Sequence, residues 1–251
     1  LSVLSLNEDI QPEFVNNPED NRFIFENQNK SFEFHSGFEQ NKNDMLSYFP
    51  DEEKAITTYF SKIKKVRENT KAMNIRADFE MQQPLEDDFI SLKAVLDSLT
   101  DNKTLKTLFS AFSMCHGTEP SEISFANHAR VTYSLYESIA RVKDGGNAFI
   151  KGFKKKLKEY NVEIRTNSFI SSCEDVAKRK VGTFVLNNGD KLQADNCVFT
   201  IHPEEILKAF KQNKISKAFS ERVNSFEESV GFFLTFIKLT SEDQKPLNPA
   251  V

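Results

Sequence analysis

The sequence predicts a mixed α/β (α+β) fold, on three changes of hydrophobic period along its 251 residues. Apolar residues alternate with polar ones between Arg22 and His35, then recur at three and four residues between Asp44 and Ala140. Beyond Gly145-Gly146 one helical stretch gives way to short apolar runs of strand length. With 39% hydrophobic residues, a chain of this length can bury a substantial core.

Taken in order, Arg22 to Glu26 and Ser31 to His35 alternate around Gln28-Asn29-Lys30, with Phe23 and Phe25 on one face, so an antiparallel pair is expected. Pro50 followed by Asp51-Glu52-Glu53 puts acidic groups at a helix start. Ile56, Tyr59, Phe60, Ile63 and Val66 form that helix's apolar stripe, and Phe89, Leu92, Val95, Leu96 and Leu99 repeat the pattern after Pro84. Asp101 to Met114 is expected as a further helix burying Leu105, Leu108, Phe109 and Phe112, ended by His116-Gly117 and Pro120. Ser121 is the expected cap of the next helix, which carries Phe125, Ala129, Tyr133 and Tyr136.

After Gly145-Gly146 the expected helix carries Ala148, Phe149, Phe153 and Leu157 on one side and lysines on the other. Strands are expected at Val162 to Ile164, Phe169 to Cys173, Thr183 to Leu186 and Asn196 to Ile201. Asn187-Asn188-Gly189-Asp190 is a hairpin turn, because Asn and Gly tolerate the positive φ that short turns require. Pro203-Glu204-Glu205 opens a helix through Phe210, and Glu228 to Leu239 reads as a long strand.

Composition excludes several roles. A net charge of -4 offers no electrostatic footprint for a phosphate backbone, so no nucleic-acid partner is expected. The longest nearly apolar run, Val230 to Ile237, falls far short of the roughly 20 residues a membrane-spanning helix needs. Leu1 to Asp9 carries no basic leader pattern, and a chain opening on Leu1 reads as a processed product. The 24 Phe against 5 Tyr and no Trp mostly sit at core-like spacings. Cys115, Cys173 and Cys197 are far apart, and His35, His116, His128 and His202 are scattered, so neither a disulfide framework nor a metal site is expected. Cys173 and Cys197 are expected as small buried hydrophobes in a reducing cytoplasm.

Phosphate-cradling GxxxxGK[ST], HExxH, calcium-loop, GxSxG and GxGxxG patterns are all absent from the sequence. Three quoted stretches carry more information: Leu46-Ser47-Tyr48-Phe49-Pro50-Asp51-Glu52; Phe112-Ser113-Met114-Cys115-His116-Gly117-Thr118-Glu119-Pro120-Ser121-Glu122-Ile123-Ser124-Phe125; and Asp195-Asn196-Cys197-Val198-Phe199-Thr200-Ile201-His202-Pro203. With Gly145-Gly146 and its helix between the last two, their order resembles the phytoene desaturase, carotenoid isomerase and retinol saturase group of flavoproteins, over about Arg22 to Leu239.

The resemblance implies a fragment of an FAD-binding, Rossmann-like domain interrupted by a substrate domain with an antiparallel sheet and a helical layer. It divides the chain into a substrate domain (1–140), part of the FAD-binding domain (141–205) and a return to the substrate domain (206–251), with Gly145-Gly146 at the return to the flavin side. It implies that Ser168, Phe169 and Ile170 run beside the adenine through their main chain, and that Thr200, Ile201 and His202 lie near the adenosine half. No catalytic side chain is assigned, since the flavin supplies the reactivity while the protein positions an apolar, isoprenoid-like substrate and excludes water. Residues near Phe23, Phe34 and Phe232 to Phe236 would line its cavity.

The family's GxGxxG, ribose-binding acid and C-terminal flavin segment have no counterpart here, so the chain alone is expected to bind FAD weakly or not at all. Two other readings stay open: an amine-oxidase-like flavoenzyme with a polar substrate, and a non-enzymatic binding domain. Lys151, Lys154, Lys155 and Lys158, opposite Phe149, Phe153 and Leu157, form either a solvated helix face or a peripheral membrane contact.

Overall fold

The computed structural model describes residues 1–14, 22–71, 83–177, 180–210, 215–227, 231 and 233–235. The chain forms two compact units, one of residues 1–153 with 229–251 and one of residues 154–228. The fold is mixed α/β, with small antiparallel sheets and helices; among the described residues every strand ladder is antiparallel.

In the first unit, β1 (Pro12–Phe14) pairs with β4 (Ala140–Val142), a long-range pairing the sequence pattern does not signal. The expected hairpin forms as β2 (Arg22–Phe25) and β3 (Lys30–Glu33), with Phe23 opposite Phe32 and Asn29 in the left-handed region at φ 49°. Five helices follow: α1 (Phe38–Tyr48), α2 (Glu53–Asn69), α3 (Leu92–Leu99), α4 (Lys103–Ser110) and α5 (Phe125–Glu137). The stripe Ile56, Tyr59, Phe60, Ile63 and Val66 is buried as its spacing requires, because residues three and four apart share one helix face. It packs with Leu92, Val95, Leu96, Leu105, Leu108, Phe109, Phe125 and Ala129 into one core.

Three boundaries differ from expectation. The helix after Pro120 is capped by Ser124, whose Oγ accepts from the Asn127 N–H. Ser121 is too early, because Ser124 bridges Ser91 and Phe125 N–H bonds to the Ile90 carbonyl, which keeps that stretch extended. Likewise α3 begins at Leu92 with Ser91 as its cap, so Phe89 lies before the helix, 80% exposed. The helix expected to reach Met114 tightens after Ser110 into a 3-10 segment, Ala111–His116, closed by Gly117 at φ 63°.

The boundary between the units falls within α6 (Gly146–Glu159), which starts after Gly145 at φ 61°. The apolar side is only partly covered: Ala148 and Leu157 are half-buried, whereas Phe149 and Phe153 are exposed. Gly152 alone is buried, and a Cβ there would meet Leu6 and Asp9 at 3.3 Å.

The second unit centres on a meander of β5 (Ile170–Glu174), β6 (Thr183–Leu186) and β7 (Lys191–Leu192). The Asn187 to Asp190 turn joins β6 to β7, with Gly189 at φ 88° and Asn188 Oδ1 accepting from the Asp190 N–H. α7 (Pro203–Ala209) and α8 (Lys217–Asn224) complete it, with Cys173, Phe184 and Ala209 buried between sheet and helix side chains such as Phe210. The expected strands at Val162 to Ile164 and Asn196 to Ile201 do not form: both stretches lie outside any ladder, and Val198 is 85% exposed. Their β-propensity has no neighbouring strand to satisfy it among the described residues. Most of the strand expected over Glu228 to Leu239 lies outside the described residues.

Candidate functional site

Ser168, Phe169 and Ile170 lead into the first strand of the meander. The Ser168 hydroxyl donates to the Thr166 carbonyl, and Phe169 is 65% exposed. The main chain of Phe169 is already engaged on both sides: its N–H donates to Asn187 Oδ1 at 3.2 Å, and its carbonyl accepts from the Asn187 N–H at 3.0 Å. Ile170 sits in the β5 ladder opposite Leu186. Thr200 and Ile201 are exposed, and His202 is the N-cap of α7, its Nδ1 accepting from the Glu204 N–H at 3.4 Å.

The Phe169 N–H is taken by Asn187 while its carbonyl, with one hydrogen bond, keeps a second acceptor site, and the imidazole of His202 uses only Nδ1 on the helix end. The pyrophosphate of a flavin dinucleotide needs clustered N–H groups at a helix N-terminus, and none of these six residues supplies that cluster.

The most built-up polar arrangement lies in the first unit and was not anticipated from the sequence. Tyr59 on α2 donates its hydroxyl to the Phe109 carbonyl at 3.0 Å and lies 2.9 Å from His128 Nε2 on α5. With the phenol proton used on the carbonyl, the imidazole must donate through Nε2–H to the Tyr59 oxygen. Thr132 Oγ1 lies alongside the ring, 3.2 Å from Nε2 and 3.4 Å from Nδ1. His128 is fully buried, and burial, reinforced by the nearby His116, lowers its pKa from 6.5 to about 4, so it is neutral at physiological pH. Burial likewise pushes the Tyr59 and Tyr136 phenols upward. The Tyr136 hydroxyl is near Tyr59 without being aligned to any partner among the described residues. Asn41, also buried, holds Nδ2 within hydrogen-bond distance of the carbonyls of His35, Gly37 and Tyr136, which share its two protons and fasten the start of α1 to the end of α5.

Aromatic rings fill the space around this network. Tyr59 stacks on Phe109 at 3.8 Å, and Phe34 meets Phe23 at 5.1 Å and Tyr136 at 6.0 Å. Phe34 is therefore a core ring, and Phe23 packs against it from the hairpin. A signal for the network does exist in the sequence: Phe125, His128, Ala129, Thr132 and Tyr136 share the 3.6-residue period that buries one face of a helix.

Open hollows mark each unit. One of about 710 Å³ lies among Glu204, Leu207, Phe210, Ile215 and Asn224 in the second, and one of about 500 Å³ among Lys93, Asp97, Lys106, Ser110 and Ser121 in the first. The latter holds Asp97 paired to both lysines, which together pull its carboxyl down to about 2. Among the described residues no group of three or more His, Cys, Asp or Glu is placed to hold a metal ion, and no helix is long and apolar enough to cross a membrane. Of the two cysteines expected to be buried, Cys173 is and Cys197 is exposed, because its stretch does not become an interior strand.

No protein-family model and no curated protein matches this chain. Solved structures resemble its fold, two of them as follows. The PF1083 protein from Pyrococcus furiosus is 15% identical with a TM-score of 0.58, over 87% of this chain and 47% of that one. An oxidoreductase from Methanosarcina mazei is 15% identical with a TM-score of 0.57, over 88% of this chain and 49% of that one. The chain thus spans about half the length of the structures it matches. At this identity the likeness is one of fold.

Proposed function

We propose that the chain is the interior part of an FAD-dependent oxidoreductase acting on an apolar, isoprenoid-like substrate, with residues 141–205 belonging to a Rossmann-like flavin domain and residues 1–140 and 206–251 to the substrate domain. The observation that carries this reading is the pair of unpaired stretches at Val162 to Ile164 and Asn196 to Ile201. Each has the composition of an interior strand, and each adjoins a helix, α6 before the first and α7 after the second. A helix with a partly uncovered apolar side, next to strands with nothing to pair with, is half of an α/β layer: the missing strands would cover both at once. Support also comes from the Methanosarcina mazei oxidoreductase, about half of whose length has no counterpart here.

In this reading Ser168, Phe169, Ile170, Thr200, Ile201 and His202 would border the adenosine end, while the phosphate-binding loop would come from sequence outside the chain. Bound FAD would supply hydride transfer. The residues of this chain would shape an apolar cavity and keep water from it, for desaturation, saturation or isomerisation. The chain by itself would bind FAD weakly or not at all.

The test is to express the chain together with the coding sequence that flanks it in its gene and to record the visible spectrum before and after denaturation. A protein-bound flavin band, with FAD released on unfolding, is expected. A colourless product that does not take up added FAD would overturn the proposal and favour a non-enzymatic binding domain.

A further inference from the structure

Asn188 is followed by Gly189, and every other asparagine of the chain is followed by a residue that carries a side chain. The distinction is chemical: the backbone nitrogen after an asparagine can attack the side-chain amide carbon and close a succinimide ring, and a Cβ on the next residue shields that nitrogen. At Gly189 the shield is absent. A Cβ added there would meet nothing within 4 Å, and Asn187 to Asp190 are all exposed at the tip of the turn from β6 to β7. The Asn188 amide is polarised as addition to it requires, because Oδ1 accepts from the Asp190 N–H at 3.0 Å, while Nδ2 donates to Asp190 Oδ2 at 3.0 Å. One contact opposes the reaction, the Gly189 N–H donating to the Leu186 carbonyl at 2.9 Å. A single exposed hydrogen bond slows the step by roughly two- to tenfold and does not block it. Asn187 is placed differently: its Oδ1 accepts from the Phe169 N–H at 3.2 Å, its own N–H donates to the Phe169 carbonyl at 3.0 Å, and its Nδ2 donates to the Asn167 carbonyl at 3.3 Å. The turn thus joins a reactive asparagine to the one that holds the Phe169 main chain.

We propose that Asn188 is a self-modification site, where deamidation opens the turn and loosens the hold of Asn187 on the Phe169 main chain. The Gly189 nitrogen loses its proton to solvent and bonds to Asn188 Cγ. The bond from Cγ to Nδ2 then breaks, and Nδ2 leaves as ammonia with a proton from water. A water molecule next opens the succinimide. Cleavage at Cγ leaves an aspartate, and cleavage at the main-chain carbonyl leaves an isoaspartate, whose main chain runs through the former side chain. The sum is amide plus water giving acid plus ammonia, with no change of oxidation state. The aspartate keeps the backbone and sets a second carboxylate beside Asp190. The isoaspartate adds a carbon to the main chain before Gly189, inside the loop closed by the Gly189 N–H on the Leu186 carbonyl and by the Leu186 N–H on the Asp190 carbonyl at 2.8 Å. A loop lengthened there cannot keep both bonds in register. The site stands independently of the flavin reading.

The test ages the folded chain in mildly alkaline buffer beside a urea-unfolded sample, then digests both and reads each asparagine peptide by mass. Conversion of the Asn188 peptide ahead of every other is expected, with aspartate and isoaspartate both present and a rate within roughly tenfold of the unfolded sample. Asn188→Gln, whose longer side chain closes the ring poorly, should show no conversion there. Amide exchange at Phe169 should be roughly two- to tenfold faster in the isoaspartyl chain than in Asn188→Asp, which carries the charge without the added carbon. An Asn188 that stays intact in the folded chain while the unfolded sample converts, or another asparagine that converts first, would overturn the site. Equal Phe169 exchange in the isoaspartyl and Asn188→Asp chains would overturn its link to Phe169.

Discussion

Replacing His128 with glutamine should remove most of the acid sensitivity of the first unit. In the fold, burial and the neighbouring His116 lower the imidazole pKa from 6.5 to about 4. The unfolded chain therefore takes up a proton as pH falls through 6.5, while the native chain resists until about 4. The neutral imidazole's contribution is fully present above about pH 6.5, is lost progressively between these two values, and does not fall further below them. At 1.36 kcal/mol per pKa unit the whole effect is about 3 kcal/mol, of which about 2 kcal/mol falls between pH 7 and pH 5. The groups facing the ring are the Tyr59 phenol, the Thr132 hydroxyl, the Phe109 carbonyl and His116; the Tyr59 phenol has a raised pKa and stays neutral in this window. Asp88 and Asp97, held below 3.8 by their cations, stay ionised there as well. Urea unfolding at pH 7 and pH 5 measures the loss directly. The wild-type chain should lose about 2 kcal/mol more than His128→Gln. Equal losses in the two proteins would show that His128 is not the group that resists protonation, and the buried-network argument would fail.

Two further substitutions test other joints of the fold. Gly182→Ala would bring its Cβ to 2.7 Å from Asp175 Cβ and should destabilise the second unit by about 1–3 kcal/mol in urea, whereas an unchanged midpoint would contradict the close approach. Arg130→Met removes the two-pronged contact to Asp88 at 2.7 and 3.1 Å and should cost about 1–2 kcal/mol in thermal unfolding. The Asp88 carboxyl should then titrate closer to its ordinary 3.8; by nuclear magnetic resonance, a titration that stays put would show that Arg130 is not what lowers it.

The helical layer was legible because its signal is local and repeated. Five apolar residues of α2 at three- and four-residue spacing admit one solution, and all five are buried. The β2–β3 hairpin and the Gly189 turn were legible for the same reason, each depending on neighbours in sequence. What could not be read depends on distant partners. The ladder of β1 and β4 joins three residues to three others over a hundred positions away, with too few side chains to leave a pattern. Ser121 and Ser124 are equivalent caps until the bridge to Ser91 chooses between them. The stretches at Val162 to Ile164 and Asn196 to Ile201 failed in the opposite way: their composition is that of strands, but composition does not supply the neighbour that makes one. At the candidate cofactor positions, the sequence put Phe169 at the start of a strand that begins at Ile170 and put His202 after a strand that does not form, and it gave no sign of the engagement of Asn187 with the Phe169 backbone.

The distribution of tyrosines has an optical consequence. With no tryptophan, near-ultraviolet emission comes from five tyrosines, and four of them, Tyr48, Tyr59, Tyr133 and Tyr136, belong to the first unit. Tyr59 and Tyr136 are sealed in its core, whereas Tyr160 in the second unit is exposed before any unfolding and changes little on it. Phenol emission and second-derivative absorbance thus follow one unit almost alone, while far-ultraviolet ellipticity sums the helices and strands of both. Melting curves from the two signals will coincide only if the units lose structure together, so a single sample, without labels, reports whether they are thermodynamically coupled.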